Sequence, residues 1–158
     1  FDPAMPEVLA GFKPGYVLGH SPSLPSCMQS CPKYEAVAAE LLNWFEQRLA
    51  VLVKAGLPEE CIALDPCIGF GKTLEHNLEV IRAIPRFAAL GRPLFFGISR
   101  KSILGDLTGL PVAERETATQ VLTALLAGSG VAIHRVHDVK STVLTLNIVR
   151  AVTAEVPS

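Results

Sequence analysis

Four groups of reactive side chains recur along the chain, each closing a short apolar run: His20, Asp65, Ser99-Arg100-Lys101-Ser102 and Arg135-Val136-His137. Asp65 opens the run Pro66-Cys67-Ile68-Gly69-Phe70-Gly71-Lys72-Thr73. A fixed carboxylate can accept two parallel N–H bonds, as from a 2-amino-4-oxo-pyrimidine edge, while an aromatic wall packs the adjoining ring. Asp65 and Phe70 suit that pairing; the alternative is that Asp65 starts a loop and Phe70 fills core. The same run invites a phosphate-loop reading, but the G-x-x-x-x-G-K-[ST] pattern would put its first glycine at Pro66, so the match fails.

Arg100 and Lys101 leave a strand as adjacent cations. One can reach solvent or an ion pair while the other reaches the site; a solvated charged turn is the alternative. Strand alternation places Arg135 and His137 on one face. If that face is interior, two such donors need an anion, and Arg with His makes a reasonable oxyanion or phosphate clamp. His134 falls on the opposite face, where a structural hydrogen bond is expected. His76 and Trp44 sit on helical stretches and are assigned no chemistry.

The elements that position these groups follow from periodicity. Residues 16–20, 61–65, 93–99 and 131–137 read as strands apolar along their length. Between them, Val37, Leu41, Phe45, Leu49 and Leu52 recur at helical spacing, with Gly56 as the stop. Leu78, Ile81, Ile84 and Phe87 mark a second helical face, which Pro85 should kink or split. Ala118, Val121, Leu122 and Leu125 are predicted to face inward in a third helix that ends near Gly128. Val139, Val143, Leu146 and Val149 form the face of a fourth, capped by Asp138. A short helical piece near residues 3–10 precedes them. Strands alternating with helices indicate a parallel sheet covered by helices. Periodicity leaves open a small doubly wound sheet or half of an eight-stranded βα barrel. In either, all four polar groups lie at the strands' C-terminal ends, the rim where such folds carry their sites.

Composition narrows the class. The 158 residues are 49% hydrophobic and 18% charged, a globular profile with a formal net charge of −1. Without a basic block, nucleic-acid binding is not expected, and no apolar run is long enough to span a bilayer. Cys27-x3-Cys31 lacks a second Cys/His pair, so no metal site is assigned, and Cys27, Cys31, Cys61 and Cys67 are expected to be reduced thiols. The chain opens at Phe1-Asp2 without methionine, which leaves room for an upstream segment.

Three runs together resemble the C-terminal half of the dihydropteroate synthases: Asp65-Pro-Cys-Ile-Gly-Phe-Gly-Lys-Thr73, Gly97-Ile-Ser-Arg-Lys-Ser102 and Arg135-Val-His-Asp-Val139. They stand in the family's order and approximate spacing, and Asp2-Pro-Ala-Met5 resembles the segment after its fourth strand. The resemblance implies a TIM (β/α)8 barrel, with residues 1–158 carrying roughly the last four βα units as a single partial domain. It implies folate biosynthesis: condensation of 6-hydroxymethyl-7,8-dihydropterin diphosphate with para-aminobenzoate to 7,8-dihydropteroate and diphosphate. By the same resemblance Asp65 would pair with the pterin edge, with Gly97 beside it in the substrate site. Lys101 would lie against the pterin, while Phe70 and Ser102 border the para-aminobenzoate pocket. Arg135 and His137 would hold the diphosphate, so Lys101, Arg135 and His137 are the expected catalytic set. A magnesium ligand is expected in the missing N-terminal half, and a cytoplasmic homodimer without nucleic-acid or membrane partners is implied.

Two positions depart from the pattern: Gly19-His-Ser-Pro-Ser23 replaces Met-His-Met-Gln-Gly, and Cys67 stands where glycine is usual. A pterin-binding methyltransferase domain is an alternative, but it has no need of the Arg135–His137 clamp. A non-catalytic pterin-binding module is another. Alone, half a barrel is expected to be inactive and to associate, because its edge strands and the inward faces of Val17, Ile62 or Leu64, Phe95 or Phe96, and Ile133 lack partners.

Overall fold

The computed structural model describes residues 2–22 and 33–154. Cys27, Cys31 and Ser23 lie outside the described residues. The chain order is α1 (Met5–Phe12), β1 (Tyr16–Gly19), α2 (Val37–Ala55), β2 (Ile62–Asp65), α3 (Leu74–Arg82), α4 (Ile84–Ala88), β3 (Phe95–Phe96), α5 (Ser102–Thr108), α6 (Glu116–Gly128), β4 (Ile133–His134) and α7 (Val139–Thr153). Short 3-10 turns at Glu59–Cys61 and Val112–Glu114 complete it.

The strands run parallel. Leu18 pairs with Leu64 and Gly19 with Asp65 between β1 and β2, and Phe95 pairs with Ile133 between β3 and β4. A parallel bridge from Leu64 to Leu94 joins the two pairs. The spatial order is therefore the chain order, β1-β2-β3-β4. A doubly wound sheet reverses its strand order at a switch point; this one does not, as in a segment of barrel wall.

Local signals behave as their chemistry requires. Gly56 ends α2 at φ 110, donating to Leu52 and Val53. Pro85 has no N–H to continue a helix, so α3 stops and α4 starts around Ala83. Asp138 caps α7 by accepting from the Ser141 N–H. Thr73 and His76 form a reciprocal capping box at the start of α3, which gives His76 a structural task.

Leu18, Ile62, Leu64, Leu94 and Phe96 are buried against the helices together with Leu41, Phe45, Ile84 and Phe87. Ile62 and Leu64 thus face the helical layer, not the barrel interior, as does Phe96. The interior side carries Val17, Ala63, Phe95 and Ile133, and Val17 and Ile133 are exposed there. The inward faces predicted for the last helices hold only in part: Ala118 and Leu122 pack against the core and Leu146 and Val149 are half-buried, but Val121, Leu125, Val139 and Val143 are exposed. The buried positions of α6 and α7 include Thr119, Thr123 and Thr142. Gln120 bridges the helices, donating to Thr142 Oγ1 and accepting from Thr145 Oγ1. A seam built partly on hydroxyls and an amide, beside buried Leu126, leaves part of the apolar periodicity pointing outward.

Candidate active site

Asp65 ends β2, and the chain then turns through left-handed residues, Cys67 at φ 53, Gly69 at φ 82 and Gly71 at φ 59. The Cys67 N–H donates to Asp65 Oδ1 at 2.7 Å, folding the loop back over the carboxylate. Asn77 on α3 pins the crest: its Oδ1 accepts from the Gly69 N–H at 2.8 Å, and its Nδ2 donates to the Thr73 carbonyl at 2.7 Å. Lys72 closes the loop from beneath. Its Nζ is buried, donates to the Phe70 carbonyl at 3.1 Å and lies 3.4 Å from both the Cys67 carbonyl and His20 Nδ1.

Lys101 reaches across from the end of the third unit. Its side chain runs past Gly69, where a Cβ would stand 3.4 Å from its Cδ. Its ammonium donates to the Ile68 carbonyl at 2.5 Å and sits 4.3 Å from the Phe70 ring centroid. Arg100 turns the other way, into an ion pair with Glu116 at 3.3 Å. The two adjacent cations therefore divide between site and ion pair. Ser102 is the first residue of α5 and is exposed.

Burial pushes the Asp65 carboxyl above its ordinary range, against the opposing pull of the Cys67 N–H, Lys101 and Lys72. Burial likewise lowers Lys101, an effect that Asp65 resists and Arg135 reinforces. Lys72 is brought down to about 8 by burial first, and the Cys67 thiol is pushed up to about 12, burial again leading and Asp65 adding. The site thus holds a half-buried carboxylate between two partly desolvated cations, which favour its charge as it favours theirs.

Arg135 follows β4, its N–H donating to the Phe96 carbonyl at 2.9 Å. Gly97 lies beside it, where an ideal Cβ would make an ordinary 3.7 Å contact with the Arg135 Cβ. His137 is held by buried Ser99, whose Oγ lies 2.9 Å from Nδ1 and accepts the His137 N–H at 3.3 Å. Where the Ser99 hydroxyl donates to Nδ1, the ring proton stands on Nε2 as an outward donor. Arg135 and His137 are both exposed. His134 does not make the structural hydrogen bond expected of it: both ring nitrogens are buried without a hydrogen-bond partner.

Asp65, Phe70, Gly97, Lys101, Ser102, Arg135 and His137 all lie at or just beyond strand C-termini. Sequence reading passed over Lys72 and Asn77. Lys72 stood in the failed phosphate-loop pattern, whose dismissal removed the reason to ask what a lysine does there. Asn77 carries no signal, because a helix-surface asparagine looks the same.

Residues 1–137 match the family described as pterin binding enzyme. The dihydropteroate synthase of Escherichia coli K12 is 38% identical over 134 residues, which cover 85% of this chain and 48% of that protein. That of Neisseria meningitidis serogroup C is 43% identical over 130 residues, 81% of this chain and 46% of that protein. The chain spans about half the length of the curated relatives it matches. Among solved structures, dihydropteroate synthase of Thermus thermophilus in complex with 6HMPPP superposes with a TM-score of 0.91 at 33% identity, over 97% of this chain and 61% of that one. The Xanthomonas albilineans enzyme in complex with 7,8-dihydropteroate gives 0.89 at 32%, over 99% and 56%.

Proposed function

The chain belongs to the pterin-binding enzyme family, and from that premise we propose that it is the C-terminal half of a dihydropteroate synthase. In this reading residues 1–158 are one partial domain carrying the last four βα units of a TIM barrel. The reaction joins 6-hydroxymethyl-7,8-dihydropterin diphosphate to para-aminobenzoate. One observation carries it: a half-buried carboxylate with a cation–aromatic wall, Asp65 with Lys101 and Phe70, shares a rim with the donors Arg135 and His137.

Asp65 accepts the amino-pyrimidine edge of the pterin, with Gly97 beside it, and Lys101 lies against the ring. Phe70 and Ser102 border the arylamine. The bond from the pterin methylene to diphosphate oxygen breaks first, its electron pair leaving on diphosphate. Arg135 and the His137 Nε2–H stabilise that charge. The amine nitrogen then bonds to the methylene and gives up a proton; no strong base is needed, because the arylamine is already nucleophilic. Among the described residues no three His, Cys, Asp or Glu side chains converge on a metal position. The ligand for magnesium is assigned to the N-terminal half.

Arg135→Ala in the complete protein is expected to weaken inorganic diphosphate binding about tenfold, roughly 1.4 kcal/mol, while pterin binding stays within twofold. Titration calorimetry with each ligand checks this. Equal loss of both ligands would place Arg135 outside an anion site.

The partner proposal rests on apolar surface. Leu144, Ile148 and Val152 repeat at helical spacing along α7, and Val121 and Leu125 do so on α6, all exposed. We assign that face to a homodimer. Light scattering of the complete protein should give twice the chain mass, falling to one chain in Leu144→Glu/Ile148→Glu; a variant still at twice the mass would move the interface elsewhere. The remaining barrel is assigned to the β1 edge, beside a groove of 580 Å3 lined by Val17, Trp44, Arg48 and Val51 among others. No helix among the described residues is long and apolar enough to cross a membrane. A cytoplasmic location without nucleic-acid or membrane partners belongs to the same proposal.

A further inference from the structure

Lys101 approaches Phe70 and Ile68 because of the turn that precedes it, and that turn is held from α6. Arg100 adopts φ 58, a left-handed conformation unfavourable for a residue with a side chain. Its N–H donates to Thr119 Oγ1 at 3.2 Å, and its Nε meets Glu116 at 3.3 Å. Its carbonyl accepts from Arg115 Nη1 at 3.1 Å, and the same nitrogen reaches the Lys101 carbonyl at 3.3 Å. Arg115 Nε is anchored on the Leu110 carbonyl at 2.9 Å. Three residues at the start of α6 thus grip the polar atoms of the turn.

Gly105 is the complementary half of this device. A Cβ there would stand 2.6 Å from Arg115 Cζ and closer still to Nη2, so the guanidinium occupies the space a side chain would take. Glycine weakens a helix relative to alanine, yet α5 carries it where the guanidinium crosses.

We propose that Arg115 is a positioning residue for Lys101, fixing the 100–101 carbonyls through a guanidinium seated on Gly105. The consequence for ligand rests on reading Lys101 as the cation of the pterin site. Lysine cannot replace Arg115: one ammonium does not span the Leu110 carbonyl and the two turn carbonyls as the planar fork does. Gly105→Ala should act through a different residue to the same end, displacing the guanidinium although alanine is the better helix former.

The test uses the complete protein, with lysines 13C-methylated and the Lys101 resonance identified by its loss in Lys101→Arg. Lys101 is expected to titrate below the ordinary lysine value in the unsubstituted protein, and to move toward 10.5 in Arg115→Lys and Gly105→Ala as its ammonium reaches water. Affinity for a 2-amino-4-oxopteridine, measured on unmethylated protein, should fall about tenfold in both. Thermal midpoints report whether each variant is folded; should Gly105→Ala fail to fold, Arg115→Lys decides alone. An unmoved Lys101 titration in folded Arg115→Lys overturns the proposal. Absence of pteridine binding by the unsubstituted protein would instead overturn the functional reading, with the titration still judging Arg115.

Discussion

Replacing Asp65 by alanine in the complete protein is expected to weaken pterin binding by about 2–4 kcal/mol, the scale of a charge-assisted bidentate contact together with the cost of stranding its partners. The partners are specific. The Cys67 N–H donates to Oδ1 at 2.7 Å, and both Lys101 and Lys72 act on the carboxylate's charge. Removing it leaves the buried Lys72 and half-buried Lys101 ammonium groups without their counter-charge. Asp65→Asn separates the two contributions. It keeps the shape and one acceptor but presents an NH2 where the ligand would offer its own N–H, so it should lose nearly as much affinity. Calorimetric titration with a pterin reads both variants, and an affinity equal to that of the unsubstituted protein in either one would remove Asp65 from ligand recognition.

Acid should destabilise the fold through His20 by an amount on the order of 3 kcal/mol. The imidazole is buried, stacked edge-on against Trp44 at 4.9 Å between centroids, with Lys72 Nζ 3.4 Å away. Burial first, then the Lys72 charge, lower its pKa from 6.5 to about 4, partly opposed by Glu40. The folded state therefore holds His20 neutral where the unfolded chain has already taken up a proton. This stability is fully present above pH 6.5 and is lost as pH falls toward 4; at about 1.36 kcal/mol per pKa unit the depression sets the magnitude. Asp65, whose pKa is raised, works in the opposite sense over the acid range, so the test is a difference. Denaturant unfolding of the unsubstituted protein and of His20→Asn, compared between pH 7 and pH 4, should show the smaller pH dependence in the variant. Parallel curves would mean that His20 titrates as it does when unfolded.

Much of the site was legible because strand ends announce themselves chemically. Asp65, Lys101 and Arg135 each follow an apolar run, and parallel pairing leaves such residues no other place than a common rim. Gly56, Pro85 and Asp138 were equally legible, since each acts through backbone chemistry within a few residues of itself. The inward faces of α6 and α7 were legible only in part, with Ala118 and Leu122 packed against the core and Val121, Leu125, Val139 and Val143 exposed. Apolar spacing predicts burial only when the facing surface is apolar, and here Thr119, Thr123 and Thr142 line the buried side.

The amino-acid sequence by itself determined the succession of βα units, the caps and breaks of the helices, and which residue types stand at the strand ends, because these depend on local torsions and short periodicities. Tertiary structure alone decided which strand face meets the helices: Ile62 and Leu64 against Ala63 is a parity that a continuous apolar run cannot declare. It also decided that Lys72 is buried under the loop, that Asn77 pins it and that Arg115 grips the turn before Lys101. Each of those contacts joins a side chain to backbone carbonyls or amides, and backbone groups are the same at every position of a sequence until folding brings particular ones within reach.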